Sequence, residues 1–364
     1  MISNTEMYLQ TNFIDTSFQA ALLPVNLLQY TSFLSKYTIR NNFIYPKGYV
    51  YCILSFVFVC LMIYAHYAHS RIDGMDLSFE TSIRFSLIFN FVFYCSDCIL
   101  LFFSNIYSSK YEIQLVVRVQ KIINNFRFIS NNFKNWKKEN WIYVAGIYFI
   151  YLLVAVMFII LFHYEVNISV ARFAYVFLLL YYDVNMICAF RYIKLCQDCL
   201  GWWISNLRYY SRRFQKYDND IGKMNSKYYL KGFLDAYLDI LNSFDMIKNI
   251  FQLPVRTSFF PYVLLELSGI IAESFVFGWI VKNILVLSLC IKGCEEFYTT
   301  IAEAERNCVM NLGSNLYKNV MRTNRSKFTK MSACGVLTID ATLPLRFFEQ
   351  WAVYVTVLLQ FAFH

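Results

Sequence analysis

The sequence predicts an all-α, polytopic membrane protein with seven transmembrane helices. Three observations carry that expectation. Apolar residues make up 58% of the chain and aromatics 20%, against 16% charged, with few Gly and Pro, a balance outside that of a soluble domain. Apolar stretches of about twenty residues, each long enough to cross a bilayer as a helix, recur along the chain. Basic residues crowd into alternate connecting segments, as expected of a chain that crosses a membrane repeatedly.

Taken in order, the segment 1–47 contains an apolar run, Leu22 to Tyr37, interrupted by Asn26, Gln29 and Lys36. This run is expected to lie at the interface or to pack on the bundle rather than to span. The first four spans are Gly48 to His66, Ser82 to Phe103, Trp141 to His163 and Ile168 to Phe190, within the region 48–190. The fifth and sixth, Asn249 to Gly269 and Ser274 to Ile291, occupy 249–291. A tight turn is expected at Ile270 to Glu273, because one continuous helix would overrun the bilayer about twofold. A cytoplasmic segment 292–344 then leads into the last span, Leu345 to Phe363.

Charge sets the orientation. Segments before span one and after spans two, four and six hold 28 of the 33 Lys and Arg, counting Arg346 where the last helix begins, and the opposite loops contribute little beyond Arg71. The positive-inside rule then places the N-terminus in the cytoplasm and the C-terminus outside. The net charge of +9 is accounted for by segments facing an anionic leaflet and calls for no nucleic-acid partner. A G-protein-coupled receptor would carry these charges on the wrong side. It would also show an acidic-Arg-Tyr triplet after span three, whereas Arg191-Tyr192 follows span four behind Phe190 and reads as a cytoplasmic helix end.

Two cytoplasmic stretches have helical periodicity. In 191–248, Phe233, Leu234, Tyr237, Leu238, Leu241, Phe244 and Ile247 recur at helical spacing, as expected of extensions of spans four and five beneath the membrane. In 105–140, Ile113, Val116, Val117, Gln120 and Ile123 form one face, with Lys110, Arg118 and Lys121 around it.

Catalytic and metal chemistry finds no support. All eleven cysteines fall in spans or cytoplasmic segments and are expected to stay reduced. The pairs Cys95/Cys98 and Cys196/Cys199 are read as core packing, and His66 with His69 as an interfacial polar cap, since no third ligand follows at a suitable spacing. There is no phosphate-binding glycine loop and no nucleophile elbow, so neither an enzyme nor a cofactor is expected. The sequon Asn167-Ile168-Ser169 lies too close to the membrane for glycosylation. No cleaved signal peptide is expected; span one serves as the targeting signal.

Polar and aromatic residues within the spans mark a possible ligand pocket. In the outer half of the bundle these are Ser86, Phe89 and Asn90 of span two, Phe158 and His163 of span three, Arg172 and Tyr175 of span four, Glu266 of span five and Phe277 of span six. Aromatic walls with a few polar groups suit a small organic ligand, while the same groups equally serve to pair helices or to snorkel. Asp97 and Asp183 lie deeper and are read as helix-to-helix hydrogen-bonding groups.

The last span carries a polar stripe. Glu349, Val353, Thr356 and Gln360 fall within about 60° of one another at 100° per residue, with Val357 and His364 beside them. A glutamine in such a helix must meet protein or water. The same stretch reads Val353, Tyr354, Val355, Thr356, Val357, Leu358, Leu359, Gln360, Phe361. It resembles the C-terminal signature of insect gustatory receptors: Thr-Tyr, five mostly hydrophobic residues, then Gln-Phe, with Val353 in place of the threonine. Ala333-Cys334-Gly335 and Asp340 stand where that family has its Cys-Gly turn.

The resemblance implies a taste receptor of the plasma membrane that is itself a ligand-gated, non-selective cation channel. Each subunit binds a small-molecule tastant in a pocket open to the outside, and cytoplasmic helical extensions form an anchor for a homotetramer, or a heterotetramer with other gustatory receptors. Four seventh helices line the pore. Its gate residues are then expected among Val353, Thr356, Val357, Gln360 and Phe361, a ring of Phe361 or valines closing by dewetting and Gln360 hydrating ions. The sugar-sensing branch has Glu after the signature tyrosine; Val355 here points to bitter or other non-sugar compounds. An alternative expectation is a seven-span chemoreceptor that signals through a cytoplasmic partner without its own pore. That alternative would bury the polar stripe against its own bundle.

Overall fold

Among the described residues the protein is all-α apart from two short hairpins. The computed structural model describes residues 12–74, 81–125, 130–163, 170–216, 220–265, 273–311, 314–333 and 337–346, with 349, 352, 353, 356 and 360 beyond these. Within the helices, some side chains also lie outside the described set.

The N-terminal run packs on the bundle, one of its two expected placements, and is helical only as far as Thr31. Helix α1 (Thr16–Thr31) buries Phe18, Ala21, Leu22, Val25 and Leu28 on one face. It ends with Leu34 N–H donating to Gln29 O (2.8 Å) and Phe33 N–H to Tyr30 O (3.2 Å), with Phe33 at φ 56°. A glycine normally fills this left-handed position. Phe33 holds it because its ring stacks on Phe58, 4.6 Å between centroids. Strands β1 (Tyr37–Arg40) and β2 (Phe43–Pro46) follow, antiparallel, with Arg40 opposite Phe43. The two-residue turn between them is Asn41-Asn42, at φ 53° and 66°, and asparagine tolerates the two positive φ values that a tight hairpin demands.

Six long helices make the body: α2 (Tyr49–Gly74), α3 (Thr81–Asn125), α4 (Ser130–His163), α5 (Val170–Lys216), α6 (Asp220–Leu265) and α7 (Glu273–Asn311). The main packing pairs are α5 with α7 and α6, α3 with α6, α1 with α4, and α2 with α3 and α5. A shorter helix α8 (Ser314–Lys327) folds back on α7 and α6, and β3 (Ser332–Ala333) pairs with β4 (Leu337–Thr338).

The segment 105–140 is shared between α3, which ends at Asn125, and α4, which begins at Ser130. Two sequence expectations are corrected. Arg191-Tyr192 is not a helix end: both residues lie in the middle of α5, each 2% exposed, because aromatic and polar partners from α4 and α3 cover them. His66 is no interfacial cap, being buried with its ring 5.7 Å from Phe91 and 4.8 Å from Tyr94. Cys196 and Cys199 pack in the core.

The long helices change character along their length. On α3, Ile88, Val92, Ile99, Leu100 and Phe103 point outward and are exposed, whereas beyond Lys110 the exposed positions are Gln114, Lys121, Asn124 and Asn125. Outward-facing apolar residues also line α2 (Val50, Ile53, Leu61) and α4 (Ile142, Phe149, Leu152). Among the described residues, one helical stretch, Tyr49–Ala68, is long and apolar enough to cross a membrane, with mean hydropathy 2.0. The stretches expected to be spans two to seven are described only in part.

Close approach of α5 and α7 depends on one glycine. A methyl group at Gly293 would stand 2.8 Å from Phe190 Cδ2. Helix propensity alone favours alanine by up to about 1 kcal/mol, but overpacking costs about 1–3 kcal/mol. Gly293→Ala is therefore expected to lower the melting temperature of the detergent-solubilised protein, and adding Phe190→Leu to recover part of the loss. A higher melting temperature in the single variant would contradict this packing.

Candidate functional site

The last helical segment starts from a charged cap. Asp340 Oδ1 accepts from the Thr342 N–H (3.1 Å) and hydroxyl (2.6 Å), while Oδ2 accepts from Lys330 Nζ (3.1 Å). These hydrogen bonds, Thr342's first, push the Asp340 carboxyl down to about 2. Asparagine, aspartate and serine favour this position because the side chain satisfies an otherwise unpaired N–H of the first turn. Pro344 falls in that same turn, where its missing N–H costs little. The Ala341 N–H donates to Glu295 Oε2 (3.3 Å), which ties the start of the segment to α7.

Beyond this point one face of the segment is described. A cleft of ≈410 Å³ separates Ala341 and Pro344 from Ile291, Lys292, Glu295 and Glu296 of α7. Every described residue from Leu343 to Gln360 is helical, and Glu349, Ala352, Val353, Thr356 and Gln360 are all exposed in the single chain. The Thr356 hydroxyl donates to Ala352 O (2.8 Å), so its remaining oxygen lone pairs are free to meet water or an ion. Three of the predicted gate residues, Val353, Thr356 and Gln360, thus share one open face. Tyr354, Val357 and Phe361 lie outside the described residues.

The side chains of Ser86, Phe89, Asn90, Phe158, His163, Arg172, Tyr175, Glu266 and Phe277 all lie outside the described residues.

A buried ionic hub anchors the N-terminal unit to the helices. Glu112 of α3 is fully buried, and its Oε2 lies 3.2 Å from Lys36 Nζ. Its Oε1 accepts from Gln29 Nε2 and from the Tyr192 hydroxyl, both at 2.9 Å. The Tyr37 hydroxyl donates to Asn26 Oδ1 (2.7 Å) and lies 3.4 Å from Tyr192 Oη. Burial, then the Glu112 charge, pushes both tyrosines far above the usual phenol range, so they remain donors. Lys36 Nζ also sits 5.0 Å from the centre of the Phe251 ring.

Two further networks brace the helices. Arg191 Nε donates to Asn140 Oδ1 (2.5 Å), and its guanidinium lies 4.8 Å from the centre of Tyr143 and 5.4 Å from that of Trp136. Asn140 passes the link on, its Nδ2 donating to Ala21 O of α1 (2.7 Å). Higher in the bundle, Asp183 Oδ2 accepts from Lys282 Nζ (2.6 Å) and from the Tyr151 hydroxyl (2.5 Å), joining α5, α7 and α4. The sequence singled out Asp183 but missed Lys282, although a lysine inside an expected apolar span was itself the signal.

Removing one member of a buried pair leaves an uncompensated charge and costs about 3–5 kcal/mol, whereas removing both is far milder. Lys36→Met should therefore destabilise strongly, and adding Glu112→Gln, which keeps an acceptor for Gln29 and Tyr192, should restore most of the loss in thermal melts. Equal losses in the single and double variants would contradict the hub.

Asp198 offers a pH test. Burial raises its carboxyl to about 6, with Lys194 pulling in the opposite direction. The folded state therefore binds this proton more tightly than the unfolded chain. The resulting penalty is fully present above about pH 6 and fades as the pH falls towards the ordinary carboxylate value. Asp198→Asn should raise the melting temperature at pH 7.5, with a gain that shrinks towards pH 4. A gain independent of pH would show that the carboxylate is not desolvated.

No family model matches the chain, and no curated protein matches it.

Proposed function

We propose that the protein is a tastant-gated, non-selective cation channel of the insect gustatory receptor kind, with seven spans and a cytoplasmic N-terminus in the plasma membrane. Four copies, alone or with other gustatory receptors, surround a pore lined by the last helix. The observation that carries this reading is the open stripe of Glu349, Val353, Thr356 and Gln360. In a single chain surrounded by lipid, an exposed glutamate and glutamine are costly. Around a shared axis the same face meets water and the matching faces of other copies.

Three further features support the reading. The spacing of Tyr354, Gln360 and Phe361 resembles the family signature. The outward apolar residues of α2, α3 and α4 form surface that lipid would cover, being far more extensive than a soluble monomer exposes. The inner ends of α5, α6 and α7 pack, through Trp203, Tyr237, Phe244 and Phe297, into a region whose exposed positions are mostly polar, Tyr209 and Val309 apart, as an anchor beneath the membrane requires. The poreless alternative needs the polar stripe buried against its own bundle, and its exposure in the single chain weighs against that. Tastants enter from outside, and Val355 after the signature tyrosine points to bitter or other non-sugar compounds. Binding favours the open state by the difference in affinity between the two states.

Gln360→Ala is expected to change unitary conductance or ion preference, because one substitution acts in every copy around the axis. Single-channel recording in a planar bilayer checks this. Current with unchanged conductance and selectivity would remove the last helix from the ion path.

A further inference from the structure

Helix α8 carries Lys318, Arg322, Arg325 and Lys327 and no acidic residue. The first three follow one another at i, i+4 and i+7, which places them along one face. All three are exposed, and among the described residues none forms an ion pair. Together with Tyr317, Met321 and Ser326 they line a depression of ≈540 Å³, within the size range of small-molecule sites. The opposite face of the helix is firmly seated. Leu316 and Val320 are buried, and Asn324 accepts from the Tyr237 hydroxyl (2.7 Å) while donating to Glu305 Oε1 (2.6 Å).

Uncompensated cations on a rigid helix repel one another, so the arrangement is stabilised by an anion that bridges them. Two arginines and a lysine, with a tyrosine ring beside them, match several phosphate groups on one small scaffold, since guanidinium groups bind phosphate bidentately. We propose that this face binds a soluble, multiply phosphorylated small anion.

Depth decides between a free anion and a lipid headgroup, and for this step alone the inference rests on the proposed topology. Lys292 marks the cytoplasmic end of the apolar part of α7, and Asn324 is bonded to Glu305 further along that helix. At 1.5 Å per residue the patch lies ~20 Å below that level, about twice the Debye length at cellular salt. A phosphorylated lipid headgroup held at the bilayer surface does not reach it.

Calorimetric titration of the purified full-length protein in detergent with inositol hexakisphosphate, at about 150 mM salt, tests the proposal. Saturable micromolar binding is expected, weakened about ten-fold or more by Arg322→Gln with Arg325→Gln, as loss of charge-assisted contacts implies. Lys110→Gln, a change at another exposed cation, should leave the affinity unaltered. Absence of saturable binding, or equal affinity in the double variant, would overturn the site. Binding to vesicles containing a phosphoinositide without binding to the soluble probe would overturn the assignment to a free anion. Break-up of the oligomer in the double variant, seen by size-exclusion chromatography, would mark the patch as a contact between copies instead. The readout is binding and not current, so failure of the channel reading leaves these outcomes distinguishable.

Discussion

A fully buried glutamate fixes the geometry of this chain. Glu112 has no access to water, so it is stable as an anion only while Lys36, Gln29 and Tyr192 remain in place. Those partners come from the N-terminal unit and from α5, and Lys36 rests on Phe251 of α6. The hub therefore locks together elements that the sequence spreads over more than two hundred residues. Arg191 works in parallel, linking α5 through Asn140 to α1. Any relative movement of α1, α3 and α5 at this level must break charged hydrogen bonds in a low-dielectric interior, which makes the region a rigid base.

The last helical segment contrasts with that base. It is tied down where it begins, by the Asp340 cap and the contact of Ala341 with Glu295, and is then open along the face bearing Glu349, Thr356 and Gln360. A braced base and an apolar helix with one open polar stripe are what the proposed assembly about a shared axis requires.

What the sequence revealed follows from the range of each signal. The helical spacing of Phe233, Tyr237, Leu241, Phe244 and Ile247 was legible because a 3.6-residue period is local, and all five are buried. The polar stripe of the last segment was legible for the same reason. The hairpin at Asn41-Asn42 was readable in principle from two adjacent turn-forming residues, but residues 38–47 were given no secondary structure. Arg191 was misread because its charge suggested water, whereas Trp136, Asn140 and Tyr143, some fifty positions earlier, supply its surroundings. The Glu112 hub and the Lys282 partner of Asp183 are long-range pairings that no local period encodes.

The central claim is that the open stripe faces other copies across a shared axis, and inter-subunit cross-linking at Thr356 tests it most directly. With Thr356→Cys in native membranes, a short bifunctional thiol reagent should yield cross-linked dimers and higher species, absent from the parent chain treated identically. A protein that stays monomeric under that treatment, while the new thiol reacts readily with a lipid-soluble maleimide, would place the stripe against lipid and contradict the account.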